Sequence, residues 1–418
     1  MTQPAPFLSR SAQWLAFASA LTILISIAVS QALLALAVVA LLLSGEKLRL
    51  PPIKLPLLLF MIGTVLSLAF SGESAADVPG VRKFYVFLIL LVVFSTFRHL
   101  ELSRILMLSW GGLGGLVALR GFVQFLGKIG EAQRLHKSFY DYYVPGDRIT
   151  GFMSHWMTFS GQEMIALTML AAFLLFAPAA FRRGWIWLLC AFLMCVALLL
   201  GMTRSSWLGC GVAGLYLFWF WRRWVVVLLP VAAIVAVLLA PVEVRERLTS
   251  VIRPRQGIDS NQHRTVTWRT GLRIIERHPL LGIGPAGVKL HFDEYVPADI
   301  PRPLPTGWYG HLHNIYLQYA AERGIPTMLV LMWMLLKIAW DFSRGLRSLP
   351  PGRSDRRFLL HGGIAVLLAI LSAGFFEYNL GDSEVLTMFL VVVACGYLAL
   401  DSEVVGEKTV PKEGAAVA

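Results

Sequence analysis

Charge is scarce in this chain. Only 15% of its residues are Asp, Glu, Lys or Arg, while 57% are hydrophobic. A soluble domain carries about a quarter charged residues. That deficit, with a mean hydropathy of +0.67, excludes both an ordinary soluble fold and a disordered chain. Cysteine is scarce as well. The four cysteines, Cys190, Cys195, Cys210 and Cys395, all fall inside apolar runs. They read as small buried hydrophobes, which leaves no disulfide framework and no cysteine metal site. Acidic clusters are few. In the longest polar stretch only Asp293, Glu294 and Asp299 come together, and they are not spaced as a dedicated cation cage.

What the chain has instead is apolar sequence in long runs, such as LTILISIAVSQALLALAVVALLL and VVVLLPVAAIVAVLLAP. A helix crossing the hydrocarbon layer needs about 20 mostly apolar residues. By that rule the sequence predicts an all-α polytopic membrane protein with about twelve transmembrane helices. They are placed at Gln13–Val29, Ala32–Leu43, Pro56–Phe70, Tyr85–Phe97, Ile105–Leu126, Phe159–Phe176, Trp185–Met202, Ser206–Phe220, Val225–Ala240, Ile315–Ile338, Phe358–Phe375 and Val385–Leu400. No cleavable signal is expected, because Ala12–Val29 runs on into more apolar sequence. Residues 1–418 read as a single integral membrane domain, with 406–418 a flexible tail.

The net charge of +12 would suggest a nucleic-acid partner in a soluble protein. Here it is topological, and no nucleic acid is expected. Lys47, Arg49 and Lys54 follow the second segment, Arg98 and Arg104 the fourth, Arg182 and Arg183 the sixth, Arg222 and Arg223 the eighth, and Arg344, Arg347, Arg353, Arg356 and Arg357 the tenth. The loop SGESAADVPG after the third is acidic. Basic loops lie on the cytoplasmic side, so both termini are expected in the cytoplasm. The two longest loops, 127–158 and 241–314, then lie outside, the second between helices nine and ten.

Long loops in compact proteins are usually functional. Within the larger one, SNQHRTVTWRTGLRIIERHP predicts a helix capped by Ser260 or Asn261 and closed before Pro279. Trp268, Leu272 and Ile275 share a face, expected to lie on the membrane surface or on the top of the bundle. Arg269, Arg273 and Arg277 form another row. With Arg245, Arg247, Arg253, Arg255, Arg264 and Arg302, they suit an anionic partner, either a phosphate or diphosphate or the headgroups of membrane lipids. Arg204, in GMTRSSWLG at the tight junction of segments seven and eight, either snorkels to the interface or serves a ligand. His311 and His313 stand in HLHNIYLQYAAERG before an apolar helix. Two apart, they would point to different faces of a helix and make a poor metal pair. Histidine titrates near neutrality and suits proton transfer. The bland alternative is that His313 packs while Asn314 caps the helix.

At this point the residues resemble a known family. HNIYLQYAAERG is similar to the signature of the bacterial O-antigen ligase and O-antigen polymerase superfamily, carried by His313, Asn314, Leu317 and Gly324. RTVTWRTGLRIIERHPLLGIGPAG, from Arg264 to Gly287, resembles the loop segment before that signature, and TRSSWLG its upstream arginine motif. DRITGFMSH, Asp147 to His155, is a weaker likeness to the segment before the sixth span. The resemblance implies a glycosyltransferase of the bacterial inner membrane. It would move a glycan from an undecaprenyl-diphosphate carrier at the periplasmic face. In the ligases the acceptor is a sugar hydroxyl of lipid A core. The reaction it implies is inverting and metal-independent, with no cofactor. Carried over by motif, Arg204 and Arg264 hold the diphosphate, His313 is the base, and Arg148 matches less closely. Glu377 and Asp382, in FFEYNLGDSE, are the carboxylates expected to orient His313 or bind sugar hydroxyls, with capping and solvation as the bland reading.

The residue types fit that chemistry. Paired arginines stabilise a departing diphosphate. A retaining mechanism would want a carboxylate nucleophile, whereas direct attack by the acceptor inverts. Three other readings compete. A polymerase of the same superfamily would use a lipid-linked acceptor. A twelve-helix secondary transporter would show repeats and midplane polar sites, and neither is seen. A glycolipid-binding scaffold would need the arginines but not His313. The topology has its own check. A single cysteine introduced in 241–314 should react with an impermeant thiol reagent added to intact spheroplasts, and one introduced in 406–418 should not; the opposite pattern would invert the assignment.

Overall fold

The computed structural model describes residues 6–71, 83–178, 184–240, 242–253, 261–401 and 404. The described chain is helical throughout, with no strand. The acidic loop after the third apolar segment, the arginines at 182, 183 and 255, the Ser260 cap and the 406–418 tail lie outside the described residues.

Helices α1 (Pro6–Thr22) and α2 (Ile27–Leu43) form a hairpin. Ser26 caps α2 by accepting from Val29 N. Ser19 and Ser30 tie the two helices by reciprocal bonds from hydroxyl to carbonyl, each 2.8 Å. The expected segment Gln13–Val29 therefore straddles a turn. Apolar residues flank Ser26 on both sides, so hydropathy alone conceals the break. After α3 (Lys54–Phe70), a 3₁₀ turn at Lys83–Phe87 leads into α4 (Leu88–Thr96). Then come α5 (Leu100–Arg134), the short α6 (Phe139–Gly146), α7 (Trp156–Phe176), α8 (Gly184–Leu200), α9 (Arg204–Trp221) and α10 (Arg223–Leu239). Three short helices follow: α11 (Val242–Thr249), α12 (Asn261–Arg277) and α13 (Gly287–Tyr295). The chain ends with α14 (Ile315–Ser348), α15 (Asp355–Ala373) and α16 (Ser383–Leu398).

By length and apolar composition α5, α7, α14 and α15 can cross a membrane, and α2, α3, residues 83–96, α8 and α16 are shorter apolar helices. The centre of the bundle is α7, α15 and α16, packed on one another and on α9 and α4. Every residue of α16 from Val385 to Leu398 is buried, the mark of a helix apolar all round and enclosed by its neighbours. Outer helices do the opposite. Leu36, Val39, Leu42 and Leu43 of α2, with Leu188 and Phe192 of α8, are exposed. An apolar surface of that extent suits hydrocarbon rather than water.

The segment between α10 and α14 has an apolar cluster of its own. Val266, Ile274, Ile283, Val288, Phe292, Ile300 and Leu312 pack together with Ala321 of α14. The buried face of α12 is His263, Val266, Thr267, Thr270, Gly271 and Ile274. Of the residues expected to share an apolar face, Leu272 is exposed, and Trp268 and Ile275 are half-buried at the margins of this one. Gly271 leaves room there for the Leu312 side chain, and Thr267 Oγ1 donates to Leu312 O at 3.4 Å. The arginine row is spent within the layer. Arg269 pairs with Asp299 at 2.7 Å, Arg273 donates to Val296 O at 3.2 Å, Arg277 lies over the Tyr295 ring and Arg302 pairs with Asp293 at 3.1 Å.

Helix α14 breaks at Gly324, where φ is +80° and ψ 159°. The turn before α13 docks into the break: Ile283 N donates to Ala321 O, Gly284 N to Glu322 O, and Ile325 N to Pro279 O. A Cβ on Gly324 would sit 1.9 Å from Leu280 O. That backbone region is essentially confined to glycine and costs other residues about 1–3 kcal/mol. Gly324→Ala should lower the melting temperature of the detergent-purified protein by an amount matching at least that cost. Gly130→Ala, inside α5 where a Cβ meets nothing within 4 Å, should leave it unchanged or raise it, since alanine favours a helix; equal behaviour of the two would refute the docking.

Candidate functional site

The short loop 311–314 is locked from several sides. Leu312 is fully buried and fills the notch at Gly271, where a Cβ would meet Leu312 Cδ1 at 2.5 Å. Leu312 N donates to Gln318 Oε1 at 2.7 Å. Asn314 caps α14, its Oδ1 accepting from Leu317 N at 2.9 Å, while its Nδ2 donates to Phe375 O at 3.1 Å. Ile315 N donates to Gly374 O at 2.8 Å. Between these anchors His313 takes a left-handed backbone, φ +50°, which a residue with a Cβ rarely adopts unless its surroundings fix it.

That conformation overturns the expectation that His311 and His313 diverge. The divergence assumed a helix at these positions. With His313 left-handed, the two rings lie 4.0 Å apart, and His313 N donates to His311 Nδ1 at 3.2 Å. Glu377, on the α15–α16 connection, brings Oε2 to 3.8 Å from His313 Nδ1. This is an electrostatic contact, longer than a hydrogen bond. The ring of His263 stands 5.1 Å from that of His313. One ligand atom from each of His311, His313 and Glu377 lies within 4.8 Å of the others, so these three residues could hold a metal ion.

The loop opens on a cavity of about 880 Å³. One wall is cationic. Arg148, Arg204, Arg247 and Arg264 all line it. Arg148 is buried; it donates twice to Val144 O, at 2.9 and 2.6 Å, and once to Met202 O at 3.2 Å. Arg247 shares the same Met202 carbonyl at 3.2 Å. Arg204 is the first residue of α9 and donates to Asn261 Oδ1 at 2.7 Å and Ser250 Oγ at 3.2 Å. Arg264 donates to Phe376 O at 3.0 Å, next to Glu377. Burial first, then the charge of Arg247, brings the Arg148 guanidinium down to about 9. Arg264 is lowered by burial too, with Glu377 opposing. Guanidinium groups crowded in this way are relieved by an anion seated among them, and the N-terminus of α9 adds its dipole in the same sense.

Carboxyl groups stand near the arginines and histidines. Burial pushes the Glu377 carboxyl up, but His313 beside it, with His311 and Arg264, outweighs burial and brings it down to about 2. Glu377 is therefore a carboxylate at neutral pH. Burial lowers His311 to about 3 and His263 to about 4, the neighbouring His313 adding to both. Asp382 lines the cavity and accepts from Thr158 Oγ1 at 2.9 Å. Beyond it the lining holds Lys83, whose Nζ donates to Gly381 O, and the Glu322–Arg323 pair at 2.9 Å.

The structure thus brings His313, Arg204, Arg264, Arg148 and Asp382 to one cavity, with Glu377 buried beside His313 and Asn314 fixing the loop. Sequence reasoning missed Arg247, grouped with the lipid-facing arginines, because nothing in VEVRERLT marks it. It also passed over His263, for which a signal existed, since His263, Val266, Thr267 and Thr270 share one helical face. His155 was quoted only as the end of a motif; it caps α7 and stacks on Trp156 at 4.0 Å. The family model described as O-antigen ligase matches residues 189–332, which takes in Arg204, Arg247, Arg264 and His313. No curated protein matches the chain.

Burial first, and then the charge of Glu377, raises Asp382 from 3.8 to about 7, against the bond from Thr158. A carboxyl raised on folding contributes stability at low pH that is lost as pH rises between those two values. Asp382→Asn should therefore gain stability over wild type as pH is raised from about 4 through 7. A difference between the two melting curves that does not change with pH would contradict the burial.

Proposed function

Taking its O-antigen ligase family domain at residues 189–332 as premise, we propose that this chain is a membrane glycosyltransferase. It transfers a glycan from undecaprenyl diphosphate to a sugar hydroxyl of lipid A core, at the periplasmic face of the bacterial inner membrane. The observation that carries the reading is that one cavity is lined both by His313, which has buried Glu377 beside it, and by Arg148, Arg204, Arg247 and Arg264. The reading takes the twelve-crossing topology with it. Both termini are cytoplasmic, and the 241–314 segment lies over the outer end of the bundle.

In this reading the diphosphate sits among the arginines and the acceptor hydroxyl meets the His313 imidazole. His313 takes the hydroxyl proton as the acceptor oxygen attacks the anomeric carbon. The bond from that carbon to the diphosphate oxygen breaks, and its electron pair leaves with the diphosphate, stabilised by guanidinium groups already in place. Glu377 steadies the imidazolium that forms and orients its ring. Attack opposite the leaving group inverts the anomeric centre. No group in this scheme requires a divalent ion.

A polymerase of the same superfamily would use the same chemistry on a lipid-linked acceptor, so the product decides between them. In a strain lacking its own ligase, the wild-type gene should restore polymer attached to lipid A core. His313→Ala, made and inserted normally, should lose the activity by roughly 10²–10⁴-fold. The purified enzyme should keep its activity in a strong chelator. Attachment that persists in His313→Ala would remove the base, and long unattached polymer built from single repeat units would assign a polymerase.

A further inference from the structure

His311 has no part in that scheme, yet it is held as firmly as His313. Its ring is 4.0 Å from that of His313, and its Nδ1 fixes the His313 backbone. Two of the polar atoms beside it lack hydrogen-bond partners among the described residues. These are His313 Nδ1 and Glu377 Oε2, both buried and 3.8 Å apart. Buried polar atoms are nearly always paired. Two unpaired atoms facing one another, with a third ligating side chain in contact, describe a pocket for a small cation.

We propose that His311, His313 and Glu377 form a binding site for a divalent transition metal of borderline character, such as Zn(II), and that its occupancy withdraws His313 from glycan transfer. The three residues each offer one ligand atom, all within 4.8 Å of one another. A tetrahedral zinc ion, with ligands at about 2.0–2.1 Å, holds them about 3.3 Å apart. Small rotations of two rings and one carboxylate close that gap. Two imidazoles and a carboxylate select zinc or cobalt over magnesium or calcium, which prefer all-oxygen cages. His311 and His313 line the cavity, so water from it can supply the fourth ligand. The guanidinium of Arg264, near Glu377, opposes a cation, so the site binds reversibly and more weakly than a structural zinc site. The inhibitory consequence rests on the proposed role of His313; the binding itself does not.

Binding is read first, on the purified full-length protein in detergent. Titration with Co(II) should give one equivalent of visible ligand-field absorption, displaced by Zn(II). In His311→Ala, and in His311→Asn, which keeps an acceptor near His313 N, the affinity should fall at least tenfold. Wild-type transfer should be inhibited by zinc over the same concentration range and recover on chelation. Each His311 variant, measured against its own metal-free rate, should need at least tenfold more zinc. Absence of the cobalt band in wild type, or equal affinity in both folded variants, would overturn the site. A chain that binds the metal through His311 but transfers no glycan would refute the proposed function and leave the metal site standing.

Discussion

The opening of α14 at Gly324 is the constraint on which the rest of the site depends. A continuous helix would use the carbonyls of Ala321 and Glu322 within itself. Here they accept from Ile283 and Gly284 instead, so the interruption loses few hydrogen bonds and gains an anchor for the whole α11–α13 layer. The anchored turn lets Ile283 and Ala321 join the apolar cluster that seats α12. Seating α12 puts Gly271 against Leu312, and that contact fixes the backbone of His313. Arg264, on the same helix, is carried to the cavity by the same packing. One glycine with a positive φ thus places both the imidazole and part of the cationic wall.

Clustered guanidinium groups are costly to bury. Here the cost is met by carbonyls: Val144, Met202 and Phe376 each accept from an arginine. Guanidinium groups held in place this way meet an anion without reorganising, the condition the proposed stabilisation of a leaving diphosphate needs. Glu377 plays a different part. Lowered to about 2 against its own burial, it is a fixed negative charge beside His313. Asp382 is pushed the opposite way to about 7, because burial and the Glu377 charge outweigh Thr158 and Lys83. Two carboxyl groups on one connection are therefore set to different states by different neighbours.

Much of this was legible in the sequence, and what was not has physical causes. Apolar helices from α3 onward follow hydropathy because burial in a bundle or in hydrocarbon rewards the same residues. The turn at Ser26 did not, because both arms of the α1–α2 hairpin are apolar. Helix α12 was readable from its polar start and Pro279. Its buried face was not, because contact there is made by Thr267, Thr270 and Gly271 against a loop distant in sequence. His313 was reached through its resemblance to a signature, as were Arg204 and Arg264. The closeness of His311 to His313 depends on a left-handed backbone enforced by Gln318, Phe375 and Gly374, which no local spacing encodes. Arg247 carried no mark that set it apart from its neighbours.

The central claim is that one cavity holds a diphosphate on its arginine wall while His313 faces the reacting carbon. The most direct measurement is an experimental structure of the protein with an undecaprenyl-diphosphate-linked sugar bound. The account predicts phosphate oxygens within hydrogen-bond distance of Arg204 and Arg264, with Arg148 and Arg247 behind them. It also predicts the sugar between the diphosphate and His313. A diphosphate seated instead against Lys83 and Arg323, or a sugar turned away from His313, would contradict it.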